Sequence, residues 1–585
     1  MKKLINDADL AAVTHLKENN PLIQILAAVT GVRKVNKLYD EIAQYRDLEF
    51  IDQLLDHLGI EVEINEKDLE NIPKEGSFIS VSNHPFGALD GLVLLKALKG
   101  VRPDYKVMAN FLLQHVEPIK DHFIAVNPFE NHKSRFNSVS GLKQAKSHLA
   151  EGKPLGIFPA GEVSAYNLES RMIADRQWQT SALKLVSNAE VPVLPVYFDG
   201  SNSYIFHLLG MIHPQLRTMI LPSELMKKKG KKIRLRIGKP IPAKDISAFA
   251  SPDQLGRYLR AKTYALGTGL HVRKDYFKLF KFPRKEEEII EPVDSAIIEK
   301  EIEALEPFKI FEYEEFDCFI TESSNIPKLL REIGRLREIT YREVGEGTNK
   351  SVDLDEYDLY YRHLILWDRK NKKFVGAYRI GQGMEIMSRY GRKGFYTNSL
   401  FRMEPQLDEI LRQSFELGRS FIVKEYQKHR LPLFLLWKGI LFHLISHPEY
   451  RYIIGPVSIS GSFQEFSRGL IMEFVKKHYY NEELAQWVHP RNEFIVKSNK
   501  VDREALLEVT QNDLKKMDRI ISEIEPSSFT MPVLLKKYLH QNAQIIGFNY
   551  DPKFNGALDG LMILDLLNLP EETVVNLKRE MVKTS

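Results

Sequence analysis

One cysteine, Cys318, is all that 585 residues carry. That excludes an internal disulfide framework and any zinc cluster built on cysteine, and it fits a reducing compartment. Metal binding would rest on the 17 histidines, which are scattered and show no His-Glu-x-x-His spacing. Long apolar runs are missing too. The greasiest segment, PLFLLWKGILFHLI (432–445), falls short of the ~20 apolar residues a bilayer span needs and carries Lys438. Behind the lysines of the amino terminus, MKKLINDADLAAVTHLKENN, no apolar stretch of the secretory type follows. A cytoplasmic protein is expected, touching the inner face of the cytoplasmic membrane only peripherally.

What is present is a chain 43% apolar, enough for more than one core, since single cores stop growing near ~250–300 residues. Charge divides it. Residues 1–280 hold 38 Lys+Arg against 30 Asp+Glu, and the remainder 44 against 48. Much of the excess lies in LMKKKGKKIRLRIGKP (225–240). It could attract anionic headgroups or an acidic protein, or be a solvated β-hairpin with a lysine-rich tip. Without interleaved aromatics it makes no case for nucleic acid.

Residues 1–65 show apolar positions recurring at three and four, the mark of helices. From 66 to about 285 short β-like runs alternate with helical ones: SFISVSN, ALDGLVLLKALKG, YKVMAN, FIAVNP, SVSGLKQAKSHLAEG, PLGIFPA, PVLPVYF and KIRLRIGKPIP. That rhythm predicts an α/β layer with functional loops where strands end. A charged, proline-punctuated stretch reads as a linker over 286–310, and a second α/β pattern fills 311–585. In that second pattern QLDEILRQSFELG is expected as a helix running into the strand RSFIVKE. The segment GALDGLVLL (87–95) returns as GALDGLMIL (556–564) without a His-Pro ahead of it, so the echo reads as helix-starting chemistry.

The Asn-His-Pro of SVSNHPFGALDG (80–91) puts His84 at a strand end and Asp90 just inside the next helix. Such a histidine can strip a proton from a hydroxyl while the carboxylate fixes its tautomer, and the same spacing can be mere capping. The blocks AVNPFENHKSR (125–135), GIFPAGEVS (156–164) and VPVLPVYFDGS (191–201) follow in order. Together with His84 and Asp90 they resemble the glycerolipid acyltransferase family. The resemblance implies that His84 is the general base on an acceptor hydroxyl and Asp90 its orienting partner. It makes Asn127 and Arg135 a clamp for an anionic group, and has Gly161 and Glu162 hold the acceptor. Two departures, five residues between His84 and Asp90 where the family has four, and Phe-Pro-Ala-Gly-Glu for Phe-Pro-Glu-Gly, point away from a glycerol-phosphate acceptor.

Further on, Glu416 and Arg419 lie three apart, where an acid could take a proton from an amine or simply face solvent. With VDLDEYDLYY, VGAYRIG, GFYTNSLF and LFLLWKGI around FELGRSF, the order is similar to the acyl-carrier-dependent branch of the GNAT fold, as in ornithine-lipid N-acyltransferases. That implies site roles for Asp358, Arg379, Glu416 and Arg419, with Glu416 catalytic. Trp437 would lie by the acyl or pantetheine arm, or else in the core. The Arg-x-x-Gly-x-Gly loop of acetyl-CoA enzymes is missing, which favours acyl carrier protein over coenzyme A as donor. The ending PVLLKKYLHQNAQIIGFNYDPKFNGALDGLMIL (532–564) is similar to the close of proteins labelled haemolysins.

Taken whole, the chain resembles the bifunctional ornithine-lipid or glycine-lipid synthases, an α/β protein of two domains. The resemblance implies that the second domain N-acylates an amino acid with a 3-hydroxyacyl group and the first esterifies the 3-hydroxyl of that lyso-lipid, with no bound cofactor or metal. Two rivals stand beside it: a lysophospholipid acyltransferase with a non-catalytic GNAT half, and a membrane-binding protein without catalysis.

Overall fold

The computed structural model describes residues 3–6, 20–110, 116–126, 138–167, 172–212, 214–270, 286–496, 501–525, 529–552 and 554–584. The chain divides into two compact units, 1–272 with 498–511 and 523–528, and 273–497 with 512–522 and 529–585.

Unit 1 is a seven-stranded sheet. In chain order its strands are β1 (Glu61–Ile64), β2 (Ile79–Ser82), β3 (Lys106–Asn110), β4 (Phe123–Val126), β5 (Leu155–Ile157), β8 (Val193–Asp199) and β9 (Lys232–Ile237), while β6 (Ala165–Asn167) and β7 (Met172–Ala174) form a separate hairpin. The order across the sheet is β1-β9-β8-β2-β5-β3-β4, parallel except between β8 and β9. β2 is central and buried along its whole length, as the unbroken run ISVS requires. It delivers the following loop to the carboxyl edge of the sheet, where open α/β sheets hold ligands. The amino-terminal helices are not a separate segment. Ile42, Phe50, Leu54 and Leu58 share one core with Phe78, Leu94 and Leu235.

The basic stretch 225–240 is not a hairpin. A helix, Leu221–Met226, turns into β9, which lies between β1 and β8. Its cations find partners along the way: Lys232 and Arg234 bond Glu63 of β1, Lys227 bonds Glu224, and Lys228 bonds the Ser201 carbonyl at 2.8 Å. Arg236 and Asp68 form a buried pair at 2.7 Å, and the same carboxylate oxygen accepts the Ile237 N–H.

Unit 2 is an eight-stranded sheet. Its strands are β10 (Lys309–Tyr313), β11 (Phe316–Glu322), β12 (Arg362–Asp368), β13 (Lys373–Gln382), β15 (Ser414–Ile422), β16 (Tyr452–Ile459), β18 (Gln544–Asp551) and β19 (Ala557–Asp565); β14 (Phe401–Met403) and β17 (Val488–Pro490) pair apart from it. The order is β10-β11-β12-β13-β15-β16-β19-β18, antiparallel except for β15 beside β16. That parallel pair is short. It holds at Ser414, Phe415 and Glu416, after which the two strands part. Part of the segment read as a linker belongs here, because the helix Ser295–Ala304 buries Ile298 and Ile302 against Phe319, Leu329 and Trp367.

Two local expectations fail. The helix read over QLDEILRQSFELG stops at Arg412, and Phe415–Gly418 is strand. The second GALDGL is also strand, β19, because Ala557, Asp559 and Leu561 alternate with residues buried on the other face between β16 and β18. Identical local sequence starts a helix at Ala88 and a strand at Ala557; tertiary context overrides propensity. Replacing Asp68 by Asn strands the Arg236 guanidinium and is expected to cost about 3 kcal/mol. Faster hydrogen exchange at β9 amides would report the loss in unit 1 alone.

Candidate functional sites

The first site is built on the turn between β2 and the helix Ala88–Lys99. Asn83 closes the strand end, its side chain exchanging hydrogen bonds of 2.9 and 2.7 Å with the Phe198 backbone of β8. Gly87 then takes φ +91°, a conformation open to glycine, and starts the helix. The five residues between His84 and Asp90 are accommodated by this turn, which folds back so that Asp90, at the third helical position, reaches the histidine. His84 Nδ1 lies 2.8 Å from Asp90 Oδ2, which also accepts the N–H groups of Phe86 and Gly87. Asp90 is fully buried and His84 partly open. Burial pushes the Asp90 carboxyl up, against the opposing pull of His84 and the two N–H groups.

Phe158 stacks on the imidazole with ring centroids 4.3 Å apart. It opens the Phe-Pro-Ala-Gly turn, closed by the Gly161 N–H on the Phe158 carbonyl; Gly161 has φ +69°, and a Cβ there would strike Gln179. Glu162 pairs with the buried Arg217 and lies 3.4 Å from Arg176. Asn127 and Arg135 lie outside the described residues. Asp175 was not legible in the sequence. Its Oδ1 accepts the His84 N–H and the Ser164 hydroxyl, its Oδ2 the Trp178 indole, and it is held from behind by Tyr264. Nothing in MIADRQW marks it, because apart from Trp178 its partners, His84, Ser164 and Tyr264, arrive from three other segments.

The second site occupies one face of the unit 2 sheet. Residues three apart on a strand point to opposite faces, yet Glu416 and Arg419 share one. A bulge opposite Ala377–Arg379, with Arg419 at φ +49°, makes up the odd residue. Arg379 and Arg419 meet a set of carboxylates: Arg379 pairs with Asp355 and, at 3.3 Å, Asp358, while Arg419 lies 3.4 and 3.5 Å from Asp353 and Asp355. Arg337, 1% exposed, binds Asp353 and Asp358 from below. Burial alone would raise the Asp358 carboxyl; Arg337 and Arg379 outweigh it and hold it well below the carboxylate range. The remaining Arg379 donors, Nε and Nη2, are buried and unpartnered among the described residues, under the rings of Tyr357, Tyr361 and Tyr396.

Glu416 differs from expectation. It is 1% exposed, and its two oxygens already accept the Tyr361 hydroxyl and the backbone N–H groups of Tyr396 and Thr397. Burial raises its carboxyl against these bonds. The structure therefore gives it an anchoring position, with three donors on its two oxygens. Trp437 is not with the others. It lines an apolar cavity of about 200 Å³ on the opposite face of the sheet, with Tyr378, Leu433, Leu441, Leu534 and Tyr538. In the parted stretch of β15 the Ser420 carbonyl accepts the Tyr341 hydroxyl at 3.0 Å, while on the cavity side the Tyr378 phenol lies 3.5 Å from that of Tyr538. Among the described residues no three His, Cys, Asp or Glu side chains group to hold a metal.

Comparison with known proteins gives the class. Residues 25–272 match the acyltransferase family and residues 336–437 the acetyltransferase (GNAT) domain. Over 265 residues the chain is 31% identical to the glycine N(alpha)-acyltransferase of Bacteroides thetaiotaomicron, covering 43% of this chain and 77% of that one. Its counterpart from Phocaeicola vulgatus is 28% identical, covering 43% and 80%. The lyso-glycine lipid O-acyltransferase of B. thetaiotaomicron is 26% identical over 253 residues, covering 42% and 89%. The protein is an acyltransferase with an O-acyl and an N-acyl transfer domain in one chain. It belongs to the bifunctional aminolipid acyltransferases.

Asp90→Asn keeps the shape of the turn but removes the charge that holds the His84 tautomer. O-acyl transfer to a supplied lyso-aminolipid is expected to fall roughly 100-fold or more, with N-acyl transfer unchanged, as read by initial rates of the two products.

Proposed function

We propose that unit 2 transfers a 3-hydroxyacyl group from a thioester to the α-amine of an amino acid, and that unit 1 then acylates the 3-hydroxyl of the product. The observation that carries this reading is the His84–Asp90 pair, oriented for a hydroxyl, in the same chain as two arginines, Arg379 and Arg419, whose remaining buried donors suit an amino acid's carboxylate. The names of relatives support this reading, since they divide N-acylation of glycine and O-acylation of lyso-glycine lipid between separate proteins. Glycine is accordingly the first acceptor to test and ornithine the second.

In unit 1, Asp90 engages Nδ1, leaving Nε2 of His84 to take the proton of the 3-hydroxyl as its oxygen attacks the thioester carbonyl. The C–O bond forms, the C–S bond breaks, and the proton leaves with the thiol. Glu162 neutralises Arg217 beside this turn, which suits a hydroxyl acceptor better than a phosphate. In unit 2 the donor is an acyl carrier protein thioester. Its chain passes where β15 and β16 part and ends in the cavity beside Trp437, while Arg379 and Arg419 hold the acceptor's carboxylate.

No helix among the described residues is long and apolar enough to cross a membrane. Unit 1 nevertheless exposes Leu22, Ile25 and Val29 on the helix Pro21–Val29, and Tyr204, Ile205 and Leu208 on the helix Tyr204–Ile212. These side chains are the surface by which the protein rests on a bilayer. Ile25→Asp with Val29→Asp is expected to release it from anionic vesicles in a flotation assay and to leave transfer to a detergent-dispersed acceptor intact.

Mass spectrometry of lipids from an expressing host tests the main reading. Wild type is expected to yield a diacylated aminolipid, and His84→Ala only its N-acylated precursor. Turnover confined to lysophosphatidate would contradict it.

A further inference from the structure

Beyond the point where β15 and β16 part, β19 brings another carboxylate to the polar face of unit 2. Ile454 stands opposite both Glu416 and Ile563, so residues 563, 561 and 559 of β19 share the face of Glu416. Asp559 is 4% exposed, and its Oδ1 accepts a 2.6 Å hydrogen bond from Ser458, which is itself exposed along the parted stretch of β16. The carboxylate is thus buried but stands one side chain away from the opening.

Its neighbours come from several elements. Asp551 of β18 and Glu346, from the loop after the helix Pro327–Glu343, face it with like charge, and the Tyr396 phenol feels Asp559 and Asp551 on one side and Arg419 and Arg379 on the other. The Arg419 guanidinium stacks over Tyr396 and Phe554 at 5.6 and 5.4 Å. Tyr396 also gives its backbone N–H to Glu416 and its ring to Arg379. One residue therefore links the arginines to the acidic side of this face.

The two sides ask for opposite charges. Arg379 keeps two buried donors without partners, a costly arrangement until an anion meets them. On the β19 side, Asp551 and Glu346 act on Asp559 with like charge, and among the described residues no guanidinium bonds Asp559. An α-amino acid supplies both complements, a carboxylate and an ammonium. The ammonium cannot attack a thioester until it has lost a proton, and Glu416, 1% exposed with three donors already on its two oxygens, is held as an anchor.

We propose that Asp559 is the base of the N-acyl transfer site, taking the proton from the acceptor's ammonium, with Ser458 as its positioning residue. The inference rests on the N-acyl transfer reading above and assigns the step that reading leaves open. The ammonium gives its proton to the Asp559 carboxylate. The freed amine attacks the thioester carbonyl, the C–N bond forms, the C–S bond breaks, and the second amine proton leaves with the thiol. Burial, with Asp551 and Glu346 adding to it and the Ser458 bond opposing, raises the Asp559 carboxyl to about 7. A carboxyl so placed accepts a proton far more readily than an ordinary one and is still largely ionised just above neutrality.

The test uses the full chain and a 3-hydroxyacyl thioester, on acyl carrier protein or coenzyme A, whichever wild type accepts. Rates to glycine are measured from mildly acid to alkaline pH. Wild type is expected to lose activity as pH falls through about 7, because the base becomes protonated. Asp559→Asn is expected to lose roughly 100-fold or more at neutral pH and to recover as pH approaches the amine's own pKa. Hydroxylamine, already neutral at pH 7, should react at similar rates with both proteins. Ser458→Ala should stay active with its acid limb moved to higher pH, since the lost bond favoured the carboxylate. The enzyme-dependent rate toward hydroxylamine, a reaction of unit 2 itself, reports that unit 2 of Asp559→Asn is folded. A wild-type rate and pH profile in Asp559→Asn would overturn the proposal. So would an equal loss toward glycine and hydroxylamine without recovery at high pH, which marks a structural role. Failure of the wild-type protein to acylate any amino acid would instead overturn the reading on which the proposal stands.

Discussion

A carboxylate taken out of water has to be met by donors, and both units are organised around that constraint. In unit 1, Asp90 is met by His84 and by the two N–H groups of the turn that leads into its own helix. The turn cannot relax without stranding the charge, so the imidazole is held in one orientation before any substrate arrives. In unit 2, Asp353 and Asp358 are met by Arg337, and the charge continues outward through Arg379, Asp355 and Arg419. The innermost members fix the scaffold. The outermost, Arg379 and Arg419, keep buried donors without partners among the described residues.

The same principle separates the two chemistries. A hydroxyl acceptor arrives neutral and needs a base only as it attacks, which suits an imidazole braced by a buried acid. An amino acid arrives as a zwitterion and has to be deprotonated first, which suits a cleft with arginines on one side and a buried, raised carboxyl on the other. Joining both in one chain keeps an insoluble single-chain intermediate at the effective concentration the covalent link sets.

Much of this is legible in the sequence. The order of strands and helices around His84 follows from alternating apolar runs bounded by Asn, Pro and Gly, and the pairing of His84 with Asp90 follows from their place at a strand end and a helix start. The second site was half visible. Asp358, Arg379 and Arg419 converge as their motif implies, but no spacing rule announces a bulge, so the shared face of Glu416 and Arg419 could not be derived from a separation of three. Trp437 went to the far face because its helix packs there. Asp559 was hidden most thoroughly: its local sequence copies the helix start of unit 1, and only pairing between β16 and β18 makes it a strand residue turned to the cleft.

The central claim is that two transfers occur in order on one chain, nitrogen first and oxygen second. Its most direct test is a time course with purified wild-type protein, isotopically labelled glycine, a 3-hydroxyacyl thioester and a second acyl thioester, followed by mass spectrometry. Label should appear first in the N-acylated, single-chain product and then pass into the two-chain lipid as the former declines. Label that never enters a single-chain intermediate, or a single-chain product that accumulates without being esterified, would contradict the account.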